Sequence, residues 1–333
     1  MKIVITGAAG FIGSHIAKHL LETYTDAEIY LIDKLSYASS GLDRLRIFDL
    51  LHQPQVHVLT TDLAEPLSEG LEKEIGYNVD YILHLAAESH VDNSIADPRN
   101  VVLNNIKATL TILDFARKQH RLVKFVHFST DEVFGDAGIR VDGFNEYEPH
   151  RPSNPYSASK SSAEQICRSY CNCYNVPLVT IHCSNVYGTT QHVEKFVPKC
   201  ISLMLQDKPV YIHTDINVDP CTRSYIHVTD VGRAVNFIMK NGYIGHDYNL
   251  PGKSIDVLTL ARKIHGIIRR EVKHHVIPED KYEFLNLIEG RPNHDVRYLL
   301  DGGKLHDLGF RSKIDFDQGL EDTVKWYLNN SWI

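Results

Sequence analysis

A hydroxyl, two adjacent carboxyls, a phenol and an amine stand close together in this chain. They are Thr130, Asp131 and Glu132, directly after Ser129, and then Tyr156 and Lys160. Beside a bound dinucleotide such a set could move both hydrides and protons. Lys124 to Phe128, rich in β-branched and aromatic residues, predicts a buried strand that delivers the first four. Ligands of open α/β sheets bind outside the carboxyl ends of the strands, so the cluster falls where chemistry is expected. Asn154 as N-cap and Pro155 in the first turn predict a helix, on which Tyr156 and Lys160, four apart, share a face. An ammonium there can stabilise a tyrosinate and lower the phenol pKa. Two neighbouring acids in a partly dry site push their pKa values apart, so one can act as acid and the other as base. Without the Tyr–Lys pair, Asp131 and Glu132 would read as a solvated loop pair.

These residues need a cofactor, and the amino-terminal third supplies a cradle for one. A strand, Lys2 to Thr6, runs into Gly7-x-x-Gly10-Phe11-Ile12-Gly13 and then a helix from Ser14 to Glu22. Gly7 permits the tight turn, Gly10 lets backbone N–H groups approach a pyrophosphate, and Gly13 lets the helix pack close to the sheet. A second strand, Glu28 to Ile32, ends in Asp33. This acid sits at the spacing expected for one that binds a ribose diol, and its charge favours NAD over NADP. Lys34 follows and partly offsets that charge. A third strand, Val56 to Leu59, leads to Asp62 and Leu63, where a carboxylate could reach an adenine amino group. A fourth, Tyr81 to Leu85, ends in Ala86 and Ala87, small enough for a cofactor to lie across the sheet edge. Glu88 to Asp92 reads as a loop, and Asn104 to Gln119 as a long helix.

The chain has 333 residues and a net charge of −7, with no basic run. Nucleic acid and anionic membranes are therefore disfavoured as partners. No apolar stretch approaches the length of a membrane span. Strand sequence beginning at Lys2 leaves no room for a signal peptide, so a reducing, cytoplasmic setting is expected. Among 19 His, His15 and His19 share a helix face with Glu22 one turn on. A solvated helix face explains them better than a metal. None of the 6 Cys form Cys-x-x-Cys, and Cys167 and Cys171 read as buried reduced thiols. Beyond a strand at Pro177 to Ile181 the pattern loosens. Helices are expected before Leu205, from Thr229, over Ile255 to Ile268 and over Asp317 to Leu328, with a strand at Arg223 to Val228.

The motifs together resemble the extended short-chain dehydrogenase/reductase family, and within it the nucleotide-sugar 4,6-dehydratases. They are the glycine turn, Asp33-Lys34-Leu35-Ser36-Tyr37-Ala38, Leu85-Ala86-Ala87-Glu88-Ser89-His90-Val91-Asp92, Ser129 to Gly135, Tyr156-x-x-x-Lys160, Asn185-Val186-Tyr187-Gly188, Glu194-Lys195, Arg223-Ser224-Tyr225 and Arg291-Pro292-x-His294-Asp295. The resemblance implies an α/β fold: a Rossmann-type, doubly wound parallel sheet with a smaller, mixed carboxy-terminal substrate domain. Residues 1–184 would bind NAD, with 224–250 returning to that domain, and 185–223 with 251–333 would hold the substrate. NAD would contact Gly7, Gly10, Phe11, Ile12, Gly13, Asp33, Lys34, Ser36, Asp62, Leu63, Ala86, Ala87, Ser89, Ser129, Tyr156 and Lys160. Ser89, Asn185, Glu194, Lys195, Arg223 and Arg291 would hold the nucleotide sugar.

By the same resemblance, Tyr156 is the base at the sugar 4-hydroxyl and Thr130 binds the 4-oxygen. Glu132 removes the C5 proton, Asp131 protonates the departing C6 hydroxyl, and Lys160 holds the ribose and tunes Tyr156. A homodimer is implied, with the Asn104 and Tyr156 helices forming a four-helix bundle across the two-fold. The sequence departs from the family pattern at Thr189, at Val193 and over His213 to Thr222. Asn185-Val186-Tyr187 and Arg223-Ser224-Tyr225 lean towards a UDP-sugar rather than a dTDP-sugar. Glucose and N-acetylglucosamine both stay open, as does 5-epimerisation. A nucleotide-sugar 4-epimerase and a non-catalytic dinucleotide-binding regulator are the rival readings.

Overall fold

The computed structural model describes residues 1–272, 282–285 and 295–332. The first six strands are β1 (Lys2–Thr6), β2 (Glu28–Asp33), β3 (Val56–Thr60), β4 (Tyr81–His84), β5 (Lys124–Thr130) and β6 (Leu178–Cys183). They are followed by β7 (Asn185–Tyr187), β8 (Val210–His213), β9 (Thr222–His227), β10 (Asp247–Leu250), β11 (Lys253–Asp256) and β12 (Tyr282–Leu285). Seven of them form one parallel sheet in the order β10-β6-β5-β4-β1-β2-β3. The order reverses between β1 and β4, and the crevice at such a reversal is where doubly wound sheets bind ligands. A three-stranded sheet, β11-β9-β7, and the pair β12-β8 lie in the second half of the chain. The three-stranded sheet is mixed: β11 runs antiparallel to β9, and β7 parallel to it.

Alternation along β1 shows why the main sheet needs helices on both faces. Ile3 and Ile5 belong to a core with Ile16 and Leu20 of the helix Phe11–Thr23 and with Val231, Val235 and Ile238 of the helix Val228–Asn241. Val4, between them, points the other way, into a core with Ile112 and Phe115 of the helix Pro98–Ala116 and Cys167 of the helix Pro155–Tyr174. A parallel strand buried on both faces reads as a continuous apolar run, which is how Ile3-Val4-Ile5 reads. A further core gathers Tyr187, Ile201, Ile212, Leu260, Ile264 and Val324 around the smaller sheets.

Several boundaries differ from the expectation, each for a local reason. The first helix begins at Phe11, not Ser14, because Gly10 already has extended N-cap backbone. The long helix expected from Asn104 begins at Pro98: Asp97 accepts from Asn100 N at 3.2 Å, and Pro98 occupies the first turn. Glu88 to Asp92 is not all loop, since Val91–Ala96 is a short helix. The strand β10, an alternating polar and apolar run of only four residues, was not anticipated.

Among the described residues no helix is long and apolar enough to cross a membrane. His15 does not turn to a metal. Its Nε2 donates to the Thr189 carbonyl at 3.0 Å, and burial lowers its pKa to about 3. Cys167 is buried and Cys171 half-buried, both free thiols.

The glycine turn is held by sterics that admit nothing larger. Gly7 has φ +68°, and a Cβ there would lie 2.8 Å from Ala86 N. A Cβ on Gly13 would lie 2.3 Å from Gly7 O, a backbone atom that cannot swing aside. Gly13→Ala should therefore destabilise the fold by about 2 kcal/mol and loosen the turn. A chemical-denaturation midpoint equal to that of the parent would contradict this packing.

Candidate active site

A continuous cleft opens at the carboxyl ends of the main strands. Gly7, Gly10, Phe11, Ile12, Gly13, Asp33, Lys34, Ser36, Asp62, Leu63, Ala86, Ala87 and Ser89 line it, with Ser129 to Glu132, Tyr156 and Lys160 at its inner end. A second cleft joins it through Ser89, Glu132, Asn185, Glu194, Lys195 and Tyr225, and extends to Arg223, Asp295 and Tyr298. Arg291 lies outside the described residues. Every other residue expected at the site borders one of the two clefts.

The cofactor end fits a dinucleotide. The amino end of the helix Phe11–Thr23 has no side-chain cap, so its backbone donors face the cleft free of internal competition. Asp33 accepts from Ala9 N at 2.9 Å and Leu35 N at 2.8 Å, which fixes its carboxylate at the end of β2. Burial raises its pKa, against those two bonds. Lys34 does not offset Asp33 as the sequence suggested. Its ammonium pairs with Glu88 Oε1 at 3.0 Å and donates to Asn104 Oδ1 at 2.8 Å.

At the inner end, β5 carries Ser129 and Thr130, and Asp131 and Glu132 open a short 3-10 turn. Thr130 Oγ1 donates to Asp131 Oδ1 at 3.2 Å and accepts from Glu132 N. Asp131 is buried, and desolvation together with the charge of Glu132 pushes its carboxyl up to about 7. Its Oδ2, like Asn185 Nδ2, is buried with no hydrogen-bond partner among the described residues. Both line the cleft, and unsatisfied buried polar atoms at a cleft wall are where a ligand's polar groups are expected. Glu132 Oε2 accepts from Asn154 Nδ2 at 3.1 Å and lies 3.5 Å from the Tyr298 hydroxyl.

The helix Pro155–Tyr174 starts as the sequence predicts. Asn154 accepts from Ser157 N at 2.9 Å in a capping box, and Pro155 fills the first turn. Tyr156 and Lys160 share its buried face. The expected lowering of the Tyr156 phenol is not observed. Burial pushes its pKa up and the Glu132 charge adds to this, with a hydrogen bond to Thr130 opposing them. Lys160 is turned to the Phe128 carbonyl, to which it donates at 2.6 Å, and burial lowers its pKa to about 8.

At the far end, Lys195 Nζ donates to Ser89 O at 3.0 Å and stands 3.9 Å from Glu194. Arg223 is buried and stacked over Tyr298, and it donates to the carbonyls of Thr222, Asp295 and Val296. Its guanidinium is thus already partly engaged by the loop after residue 294. Sequence reasoning missed three participants: the Asn154 amide on Glu132, Tyr298, and Glu164 beneath Ser129. Only Glu164 had a readable signal, four residues beyond Lys160 on the same face.

Residues 4–323 match the family model described as GDP-mannose 4,6 dehydratase. The chain is 35% identical over 341 residues to a dTDP-glucose 4,6-dehydratase of Neisseria meningitidis serogroup B, covering 99% of this chain and 94% of that one. It is 37% identical over 337 residues to a trifunctional UDP-glucose 4,6-dehydratase, UDP-4-keto-6-deoxy-D-glucose 3,5-epimerase and UDP-4-keto-L-rhamnose reductase of Arabidopsis thaliana. That match takes in 99% of this chain but spans about half, 47%, of the plant protein. Among solved structures it resembles the dTDP-glucose 4,6-dehydratase of Streptomyces venezuelae crystallised with NAD, at a TM-score of 0.85 and 31% identity, over 99% and 98% of the two chains. It also resembles a UDP-N-acetylglucosamine 4-epimerase of Methanobrevibacter ruminantium, at 0.82 and 27%, over 98% of each chain.

The charge at Asp33 generates a direct expectation. Asp33→Ser should weaken NAD binding and shrink the preference over NADP by roughly tenfold, measured by titrating each dinucleotide into cofactor-stripped protein. An unchanged ratio would mean that Asp33 does not discriminate.

Proposed function

The chain belongs to the nucleotide-sugar 4,6-dehydratase family of the extended short-chain dehydrogenases/reductases, and from that premise we infer that it dehydrates an NDP-hexose to the 4-keto-6-deoxy sugar. The observation that carries this reading is the pair Asp131–Glu132 at a strand end beside Tyr156, Glu132 half-buried and Asp131 buried with its carboxyl pushed up to about 7. A 4-epimerase on the same fold needs Tyr156 and Lys160 but has no step that requires both an acid and a base at 131 and 132.

Gly7 to Gly13, Asp33 and Lys160 would hold NAD, which when bound would supply the hydride acceptor for C4 and the hydride donor for C6. The protein's own groups do the proton chemistry. Tyr156, once its own phenol proton has been lost to solvent, takes the proton of the 4-hydroxyl, and Thr130 hydrogen-bonds the 4-oxygen. The 4-carbonyl acidifies the C5 hydrogen, which Glu132 removes. Asn154 and Tyr298 hold that carboxylate in place. Asp131, held partly in its acid form at neutral pH because it is dry and faces Glu132, delivers its proton to the C6 hydroxyl as it leaves. Asn185, Lys195, Arg223 and Arg291 hold the nucleoside diphosphate, and Ser89 and Glu194 also contact the substrate.

The substrate proposed is UDP-glucose. The Arabidopsis relative named for that sugar and the Asn185-Val186-Tyr187 and Arg223-Ser224-Tyr225 triplets support it. The same reading carries a homodimer through the helices Pro98–Ala116 and Pro155–Tyr174, where Leu103 and Tyr174 are exposed.

Mass spectrometry of products from UDP-glucose, dTDP-glucose and UDP-N-acetylglucosamine, run in deuterated water, tests this reading. A loss of water with one deuterium at C5 is expected, with UDP-glucose turned over fastest. Glu132→Gln should abolish deuterium uptake while NAD stays bound. A 4-epimer of unchanged mass would refute dehydration, and faster turnover of dTDP-glucose would refute the nucleotide.

The protonation state of Asp131 sets a pH dependence. Its folded pKa is raised to about 7, so the acid form predominates below that pH and is lost above it. The elimination step, followed in single turnover, should fall about tenfold per pH unit above that point. A rate that climbs through this range would remove Asp131 as the acid.

A further inference from the structure

Glu164 has no part in the proton chemistry above, yet it is a buried charge in the middle of it. It lies one turn beyond Lys160 and two beyond Tyr156, on the same buried face of the helix Pro155–Tyr174. Its Oε1 accepts from the hydroxyl of Ser129, the residue that precedes Thr130 on β5. Its Oε2 lies 3.0 Å from Nε2 of His182, on the neighbouring strand β6 and directly opposite Ser129 in the register.

The hydrogen bonds around His182 place its protons, given an ionised Glu164. The Asn249 amide nitrogen donates to two carbonyls, Phe144 at 2.8 Å and Asp301 at 3.0 Å. This fixes the orientation of the amide and turns Oδ1 towards His182 Nδ1, at 3.1 Å. An amide oxygen can only accept, so Nδ1 carries a hydrogen. Nε2 faces the Glu164 carboxyl, whose ionised form His182 and Ser129 favour against burial; ionised, it only accepts, so Nε2 carries one too. Both ring nitrogens are therefore protonated and the ring is an imidazolium. A raised His182 pKa and a lowered Glu164 pKa agree, with burial opposing the mutual attraction in each case.

The other charged groups facing the pair are Lys160, His150 and, further out, Asp247 with its partner Arg168. His150 Nδ1 lies 2.9 Å from Ser161 Oγ, and its Nε2 is 3.6 Å from Glu164 Oε2. Burial holds this ring below the ordinary histidine value. His150, Glu164 and His182 also approach one another as metal ligands do. The direct 3.0 Å contact, however, is a hydrogen-bond length with the ring and carboxylate touching. Two ligands on a tetrahedral zinc, each about 2.0–2.1 Å from it, stand further apart than that.

We propose that Glu164, paired with a protonated His182, is a positioning residue of the dehydratase. It fixes Ser129, and with it the strand end that presents Thr130, Asp131 and Glu132, and it places a negative charge one turn beyond Lys160. In a region this dry, Lys160 has few other groups that favour its ammonium form, and Glu164 is the foremost of them. The proposal rests on the reading of Tyr156 and Lys160 given above.

The test has two arms. In the unaltered holoenzyme, nitrogen NMR of 15N-histidine-labelled protein should show one imidazolium persisting to about pH 9, absent from His182→Asn. Lack of such a signal overturns the proposal even if every variant fails to fold. In the second arm, Glu164→Gln keeps the shape and the acceptor for Ser129 but removes the charge. The alkaline limb of nicotinamide reduction in single turnover should then move down by roughly one pH unit, and Glu164→Asp should restore it. A limb that stays in place, with only stability altered, makes Glu164 a structural residue and overturns the proposal. So does a stoichiometric metal, found by elemental analysis and lost in Glu164→Gln. Normal 4-keto product from the parent enzyme alongside either result shows that only this inference failed. Its absence identifies failure of the functional reading instead.

Discussion

The hydrogen bond from the Lys160 ammonium to the Phe128 carbonyl joins the two elements on which everything else hangs. It ties the helix that begins at Pro155 to the strand that ends at Thr130, and both ends are lined up by it. The strand ends in groups that gain and lose protons, and the helix begins with the phenol that faces them. Neither element alone has a site. The capping box at Asn154 starts the helix at the one register that aims Tyr156 at Thr130, and the Asn154 amide then reaches across to Glu132. A residue that terminates a helix in one direction therefore orients a carboxylate in the other.

Water exclusion is what sets the protonation states in this corner of the molecule. Burial drives Asp131 and Tyr156 up and Lys160 down, each towards its neutral form. Specific neighbours then correct or reinforce the drift: Glu132 adds to the rise at Asp131, while Glu164 resists the fall at Lys160. Protonation preferences thus follow from which charge lies next to which dry group, rather than from residue type.

Much of this was legible in the sequence because it is local. The turn at Gly7 to Gly13, the strand end at Asp33 and the Tyr156–Lys160 spacing each state their geometry within a few residues. What could not be read depends on contacts across long stretches of chain. Tyr298 reaches Glu132 from 166 positions away, and nothing around it hints at that. Lys34 was expected near Asp33 because it is adjacent, but Glu88, in the loop after β4, and Asn104, on the helix Pro98–Ala116, capture its charge. The phenol shift was anticipated with the wrong sign because spacing reveals a shared face and not the direction in which an ammonium points. Asp97-Pro98, by contrast, was a readable start signal that the apolar periodicity further along obscured.

The placement of β10 bears on how such a chain can be cut and recombined. The strand comes from residues 247–250 yet lies at the edge of the main sheet, beside β6. Within it, Asn249 reaches His182, Phe144 and Asp301, and its backbone N–H donates to Glu146. One residue thereby ties β10 to three distant segments. A fragment ending at residue 184 would leave β6 as a bare edge, an invitation to pair with other chains. Chimeras that trade second halves between relatives would have to carry this strand and its asparagine with the first. The two halves are interleaved, not modular, and recombination breakpoints that respect only sequence position would sever the seam.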